Sequence, residues 1–349
     1  MKLEQILDEP QISWLSGEGP ETDVVLSSRV RLARNLEDYF FPDRASTEVQ
    51  EKVLKALKSS TGDLKRADKM DYLFLKMKEL SNLDRWVLME KHIISPQLTR
   101  GEKEQALIIR EDAAVAVMVN EEDHLRIQGM ARGLQIEEAF RLADHADDVL
   151  EKKQVWAFDH QLGYLTACPT NLGTGMRASV MLHLPGLGIQ KKINRLGAAV
   201  QPYGMVIRGL DGEGSGGSGY IFQLSNQVTL GQSEDEIIQR LGQVAKQTVD
   251  LEMKARKEFS PDYLADQAGR SYGILKYAHQ ISSEEALTLA SWIRLGRLAG
   301  TLPAGREGWF EELLVAIRPH YLQKLQGKEN ITPLERDQMR AEWLRQKID

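Results

Sequence analysis

Cysteine is almost absent from this chain of 349 residues, Cys168 standing alone. That excludes an internal disulfide framework and a zinc site built on cysteines. No apolar run approaches the roughly 18 residues of a membrane-spanning helix. The first residues, MKLEQILDEPQISWL, carry acids throughout and no long apolar core, so neither a membrane segment nor a signal peptide is expected. The P-loop pattern GxxxxGK followed by Ser or Thr is missing. So is any excess of positive charge: 45 Lys and Arg against 51 Asp and Glu leave a net charge of -6, which offers no general footprint for nucleic acid. The composition points to a soluble cytoplasmic protein, large enough to bury about 70 to 75 percent of its unfolded surface. Its acidic surface suits basic protein partners.

What the chain does have is an α+β pattern rather than regular βαβ alternation. Helical spacing covers 47 to 58, the segment GLQIEEAFRLADHADDVLEK, and 187 to 200. Strands are expected at 71 to 78, 85 to 90, 106 to 111, 114 to 119, 163 to 168, 177 to 184, 204 to 210 and 220 to 229, forming a mostly antiparallel sheet. Ser233 to Glu236 reads as a capping box opening a long helix. The pattern relaxes around FSPDYLADQAG, so the chain divides into 1–255 and an all-helical 256–349, with helices at 264 to 279, 283 to 299, 307 to 325 and 332 to 347.

Chemistry concentrates in a few segments. Directly after the apolar run AVAVMV comes Asn120-Glu121-Glu122-Asp123-His124-Leu125-Arg126. If the strand continued through it, Glu122, His124, Arg126 and Gln128 would line one side. In DVVLSSRVRLAR the alternation projects Arg29 and Arg31 together, Arg177 opens the strand MRASVMLHL, and Arg208 ends the run GMVIR. Taken singly, each is an ordinary surface arginine. Five guanidinium forks converging from four strands would instead suit a polyphosphate, since each pairs bidentately with phosphate oxygens and never loses its charge. Gly214 to Gly219 matches GxGxxG, but a strand-like YIFQLSNQVTL follows, so the dinucleotide reading fails its context. Six glycines between Gly209 and Gly219 suggest a mobile flap carrying Glu213, or an ordinary flexible hairpin.

The segments SSRVRLAR, NEEDHLR, CPTNLGTGMR and RGLDGEG together resemble the signature segments of the phosphagen (ATP:guanido) kinases, in order and spacing, over about residues 23 to 255. Within that superfamily the chain is most similar to the bacterial protein-arginine kinases. Only 26 residues precede Ser27, where metabolic phosphagen kinases carry a long helical domain, so an open acceptor pocket is expected. Arg336-Asp337-Gln338-Met339-Arg340-Ala341 resembles the RDxxRA motif with which protein-arginine kinases bind phosphoarginine.

The resemblance implies a phosphagen-kinase-like catalytic domain and an ATP site made of Ser28, Arg29, Val30, Arg31, His92, Arg126, Arg177, Ala178, Ser179, Val180, Met181, Arg208, Gly209, Asp211 and Gly212. Glu122 and Glu213 would grip the acceptor guanidinium, Glu121 would lie nearer the nucleotide or metal, and Cys168 beside the acceptor nitrogen. Arg336, Asp337, Arg340 and Ala341 would form an allosteric phosphoarginine site, although a salt-bridged surface helix would look the same. ATP and Mg²⁺ are the implied cofactors, the metal held by phosphates and water rather than by dedicated protein ligands. Implied partners are proteins presenting arginine, a second copy of the chain, a zinc-binding activator of the McsA type and a Clp protease chaperone, in bacterial stress response and protein quality control. Two alternatives stay open: a kinase acting on a free small guanidine, and a non-catalytic phosphoarginine-binding adaptor. His124 and His183 read first as hydrogen-bonded structural imidazoles, and Cys168 could be a small buried apolar residue.

Overall fold

The computed structural model describes residues 3–10, 12, 14–209, 217–328 and 331–349. In chain order its elements are α1 (Leu3–Asp8), β1 (Val25–Arg34), α2 (Thr47–Asp68), β2 (Tyr72–Lys76), α3 (Asn82–Glu90), β3 (Ala106–Arg110), β4 (Val115–Val119), β5 (Leu125–Arg132) and α4 (Ile136–Glu151). There follow β6 (Phe158–Asp159), β7 (Gly163–Tyr164), β8 (Met176–His183), α5 (Pro185–Ile189), α6 (Ile193–Val200), β9 (Met205–Gly209), β10 (Ile221–Asn226) and α7 (Glu234–Lys257). The chain ends in α8 (Pro261–Tyr277), α9 (Ser283–Leu298), α10 (Trp309–Ala316), α11 (Pro319–Gln326) and α12 (Pro333–Lys347). The fold is α+β: a sheet in the order β2-β3-β4-β5-β1-β8-β10-β9, with every pairing antiparallel.

Alternation along the strands divides the apolar residues between two cores. Val30, Leu32, Ile127, Ala178 and Val180 face α2, α4 and α7, represented by Leu57, Ala143 and Leu241. The other face packs Ile109, Met118, Met130 and Met181 against Leu88 of α3, Ile293 of α9, Leu313 of α10 and Leu344 of α12. The C-terminal helices therefore share a core with the sheet, on the face opposite α4.

Several expected elements change. Residues 85 to 90 lie in helix α3, not a strand, because Ser81 caps it, its Oγ accepting from the Asp84 N–H at 3.0 Å. A short apolar run looks alike in either state, and the cap was the signal that separates them. The expected strand 163 to 168 shrinks to Gly163–Tyr164, paired with Phe158–Asp159 outside the main sheet. Helix 187 to 200 breaks between α5 and α6 at Lys191, which has φ 58°. Helix 307 to 325 divides because Pro319, lacking an N–H, starts α11 afresh. The capping box of Ser233 and Glu236 opens α7 as read.

The sheet meets α4 with no room to spare at Gly129, where an added Cβ would sit 2.1 Å from the Ala139 carbonyl oxygen and 2.9 Å from the Ala143 nitrogen. Both obstacles are backbone, so neither can swing aside. Gly129→Ala is expected to cost about 3 kcal/mol or more, seen as a lower urea midpoint at unchanged slope. An unchanged midpoint would mean that α4 slides freely on β5.

Candidate active site

Strand register gathers the arginines. In antiparallel pairing, directly opposed residues share a face. Across β1 and β5, Arg31 faces Gln128 and Ala33 faces Arg126; across β1 and β8, Arg29 faces Ser179 and Arg31 faces Arg177. Gln223 of β10 opposes both Met181 and Arg208. Arg29, Arg31, Arg126, Arg177 and Arg208 thus all stand on one side of the sheet. Their in-between neighbours, Val30, Ile127, Ala178 and Ile207, point into the opposite core.

Protein groups only partly satisfy this cluster. Arg29 donates to Gln223 Oε1 at 2.8 Å, Arg126 to Glu121 Oε1 at 2.8 Å, and Arg177 to Ser225 Oγ at 3.2 Å. The buried Nε atoms of Arg31 and Arg177 have no partner. Burial, with repulsion from Arg126 and Arg177, lowers the Arg29 pKa to about 10. Burial followed by Arg29, Arg126 and Arg177 pushes Arg31 well below the ordinary arginine value, against the pull of Glu121. Arg177 is lowered by burial, then by Arg208 and Arg126. A set of cations that depress one another is built for an anion it does not itself contain.

The acids arrive on a turn, not a strand. Asn120 has φ 55° and its N–H donates to the His124 carbonyl at 2.9 Å, closing the β4–β5 hairpin. This corrects the single polar wall. His124 turns away, accepting at Nδ1 from the Leu36 N–H at 3.1 Å, so its Nε2 donates to the Phe40 carbonyl, 3.1 Å away. Burial lowers its pKa to about 4, making it a neutral structural imidazole. His183 is likewise buried, with Nε2 2.6 Å from Ser291 Oγ.

Glu121 is locked between Arg126 and the Glu122 N–H, which donates to its Oε2 at 3.1 Å. Glu122 is left half-buried. Its pKa is raised by burial first and then by Asp123 and Glu121, with Arg126 opposing. Asp123 acts as a buttress: its Oδ1 accepts from Asn35 Nδ2 at 2.6 Å and from the Ala167 N–H at 2.7 Å. It thereby ties the acid turn to the loop bearing Cys168, whose Sγ lies 3.0 Å from Thr170 Oγ1. Thr229 Oγ1 holds that loop from beyond, near the Thr170 and Leu172 carbonyls at 2.9 and 2.6 Å.

Two adjoining cavities result. The larger, of about 820 Å³, is lined by Arg29, Arg31, His92, Glu121, Glu122, Arg126, Gln128 and Gln223, by Met89, Ile94, Pro96 and Met118, and by Glu90, Arg318, Pro319 and His320. The smaller, of about 130 Å³, is lined by Arg31, Glu121, Glu122, Asp123, Arg126, Cys168, Thr170, Asn171 and Arg177. Arg31, Glu121, Glu122 and Arg126 belong to both. His92, at φ 57°, is held neutral by burial and by Arg29 and Arg318, its pKa lowered to about 3.

Other expected site residues fall elsewhere. Ser28 faces the helix side, donating to the Gly133 carbonyl at 2.8 Å and accepting from the Gln135 N–H at 3.0 Å. The side chains of Val30, Ala178 and Val180 are core, so only their backbone lies along the arginine face; Ser179 and Met181 stand on that face opposite Arg29 and Gln223, whereas Gly209 pairs with Phe222 of the helix-side core. Asp211, Gly212 and Glu213 lie outside the described residues. On α12, Arg336 and Asp337 are half-buried, whereas Arg340 is buried and donates to the Ile317 and Ile281 carbonyls at 2.8 and 2.7 Å. Ala341 is in the core. None of these four lines the two cavities.

Sequence reasoning missed Asn35 and Asp123 as the link between the acid turn and the Cys168 loop, and Gln223 as a partner of Arg29. Alternation along YIFQLSN would have found Gln223. Glu90, Arg318 and His320 carried no signal, since nothing in sequence ties residue 90 to residue 320.

The family model for ATP:guanido phosphotransferase, C-terminal catalytic domain, matches residues 48–255, and the model for the protein-arginine kinase McsB C-terminal domain matches residues 261–349. The chain is 45% identical to a protein-arginine kinase of Symbiobacterium thermophilum over 100% of this chain and 99% of that one. It is 43% identical to a protein-arginine kinase of Halothermothrix orenii over 100% of both. Among solved structures, a lombricine kinase superposes with a TM-score of 0.59 at 23% identity, covering 73% of each chain. A duplicated taurocyamine kinase from Schistosoma mansoni, with bound transition state analog components, gives 0.60 at 22%, covering 94% of this chain and 52% of its own. These two likenesses concern the fold alone. Both matched halves and the full-length relatives agree: the chain is a member of the ATP:guanido phosphotransferase family, of the kind that carries a protein-arginine kinase C-terminal domain.

Proposed function

We propose that the chain is an ATP-dependent protein-arginine kinase, transferring the γ-phosphoryl group of ATP to a guanidino nitrogen of arginine side chains in proteins. The observation that carries this reading is the meeting of Arg29, Arg31, Arg126 and Arg177 with a carboxylate, Glu122, around two joined cavities, with Arg208, which lines neither cavity, on the same face of the sheet and acting on Arg177. Phosphoryl transfer depends on positioning and on neutralised phosphate oxygens more than on covalent chemistry, and Arg29, Arg31, Arg126, Arg177 and Arg208 supply the neutralisation. The acceptor guanidinium has no free lone pair until it loses a proton. Glu122 takes that proton from the attacking nitrogen as the N–P bond forms and the bond from the γ-phosphorus to the β,γ-bridging oxygen breaks, with ADP leaving. Glu121, pinned by Arg126, stays on the nucleotide side. Glu213 is assigned the second grip on the guanidinium by its motif, and Cys168 lines the small cavity.

Among the described residues no group of three or more His, Cys, Asp or Glu is placed to hold a metal ion. Mg²⁺ would be carried by the phosphates and water, with Glu121 and Glu122 as carboxylates on the cavity wall. When bound, it offsets phosphate charge. Residues 1–255 form the catalytic unit, and 256–349 the helical unit for dimerisation and phosphoarginine docking at Arg336, Asp337, Arg340 and Ala341. A cytoplasmic setting, with a zinc-binding activator and a Clp protease chaperone as partners, accords with this role. Among the described residues no helix is long and apolar enough to cross a membrane.

Incubation with ATP, Mg²⁺ and a basic folded protein, read by mass spectrometry without acid, is expected to show phosphoarginine on the protein and far less on free arginine. Preference for the free amino acid would make the chain a small-guanidine kinase, and no phosphoarginine on either would leave a binding adaptor.

A further inference from the structure

The large cavity has a wall that the sheet does not provide. Arg318, Pro319 and His320, at the start of α11, line it together with the arginine floor. This turn is fastened to α3 by Glu90, which accepts from the His320 N–H at 3.1 Å and the Tyr321 N–H at 2.8 Å and lies 2.7 Å from His320 Nδ1. The His320 ring stacks on Trp86, centroids 4.8 Å apart and planes 12° from parallel. Glu90 is two residues from His92, so one anchor positions both the imidazole and the turn.

Which end of a nucleotide this wall would meet follows from the two cavities. Transfer requires acids and cations together, and they meet where the large cavity joins the small one, at Arg31, Glu122 and Arg126. Arg318 is absent from the small cavity. It belongs instead to the turn that Glu90 fastens to the end of α3, and it helps to depress the pKa of His92; Met89 and Ile94, on either side of His92 in sequence, line the same cavity. A neutral ring, apolar side chains and a flat guanidinium suit a purine rather than a phosphate.

Resting on the kinase reading, we infer that Arg318, supplied by the C-terminal helical region, is a nucleotide-binding residue for the adenine base. The nucleotide site is then completed across the two halves of the chain, and Glu90 is the positioning residue that joins them.

Calorimetric titration of the full chain with ATP and with inorganic tripolyphosphate separates the possibilities. Arg318→Met is expected to weaken ATP about tenfold, the scale of a desolvated cation–π contact, while tripolyphosphate affinity stays within about twofold because the arginine face is untouched. Arg318→Lys, which keeps the charge but loses the flat face, should show most of the same ATP-specific loss. Unchanged ATP affinity in both variants overturns the inference, and so does a proportional fall for ATP and tripolyphosphate in the lysine variant, which would make the contact a phosphate one. If the methionine variant loses both ligands through misfolding, the lysine variant decides. Failure of the kinase reading itself would appear differently, as an unsubstituted protein that binds neither ligand.

Discussion

Arg177→Met is expected to lower kcat/KM for protein phosphorylation by about 10²- to 10³-fold, the usual result of removing one preorganised donor to transition-state charge. The nucleotide-free protein should nevertheless become more stable. Arg177 stands directly opposite Arg31 across β1 and β8, and like charges in that position oppose pairing. Burial and the neighbouring arginines already lower the pKa of both, and each keeps a buried Nε without a partner. Methionine removes one charge and one orphaned donor while filling similar volume. A rise of the melting temperature on the order of 2 °C without ATP, with loss of the stabilisation that ATP gives the unsubstituted protein, is the signature of a site strained in favour of its ligand. If activity and ligand-free stability fell together, Arg177 would be a structural residue and the arginine face no cage.

Much of this was legible because it rests on period-two alternation. Alternation alone puts Arg29 and Arg31 on one side of β1, and the antiparallel register with β5 and β8 brings Arg126 and Arg177 beside them. Residues 120 to 124 defeated the same rule: Asn120 adopts a left-handed conformation, reversing the chain where a continued strand was expected, so His124 serves the Leu36–Phe40 segment instead of the cavity. Alternation also shows why Val30, Ala178 and Val180 lie beside the site without entering it. The RDxxRA segment shows a different limit of local spacing. Helical spacing puts Arg336 and Arg340 on one face, but only tertiary packing reveals that Arg340 also bonds the carbonyls of Ile281 and Ile317. The wall formed by Arg318 and His320 depends on a contact between α3 and α11 across some 230 residues, for which no local pattern exists.

Glu122→Gln is expected to reduce transfer by about 10³-fold, within the range for loss of a general base, while ATP affinity changes little because the five arginines remain. The pH profile distinguishes this role from simple orientation of the guanidinium. Burial, Asp123 and Glu121 raise the Glu122 pKa, and a base must be ionised to act. The acid limb of kcat/KM, which reports the free enzyme, should therefore lie above the ordinary glutamate value, with activity lost as pH falls through the raised pKa. In the glutamine variant that limb should vanish from the residual rate. Stability carries the opposite sign: a carboxyl with a higher pKa folded than unfolded is protonated more readily in the native state, so its ionised form destabilises the fold at neutral pH and ceases to do so in acid. Glutamine, with no charge to bury beside Asp123, should raise the neutral-pH melting temperature of the nucleotide-free protein and leave the acid-pH value nearly unchanged. Undiminished phosphoarginine formation, or an acid limb that persists in the variant, would remove Glu122 as the base. The same limb lost from a Glu121→Gln variant would move the role one residue back.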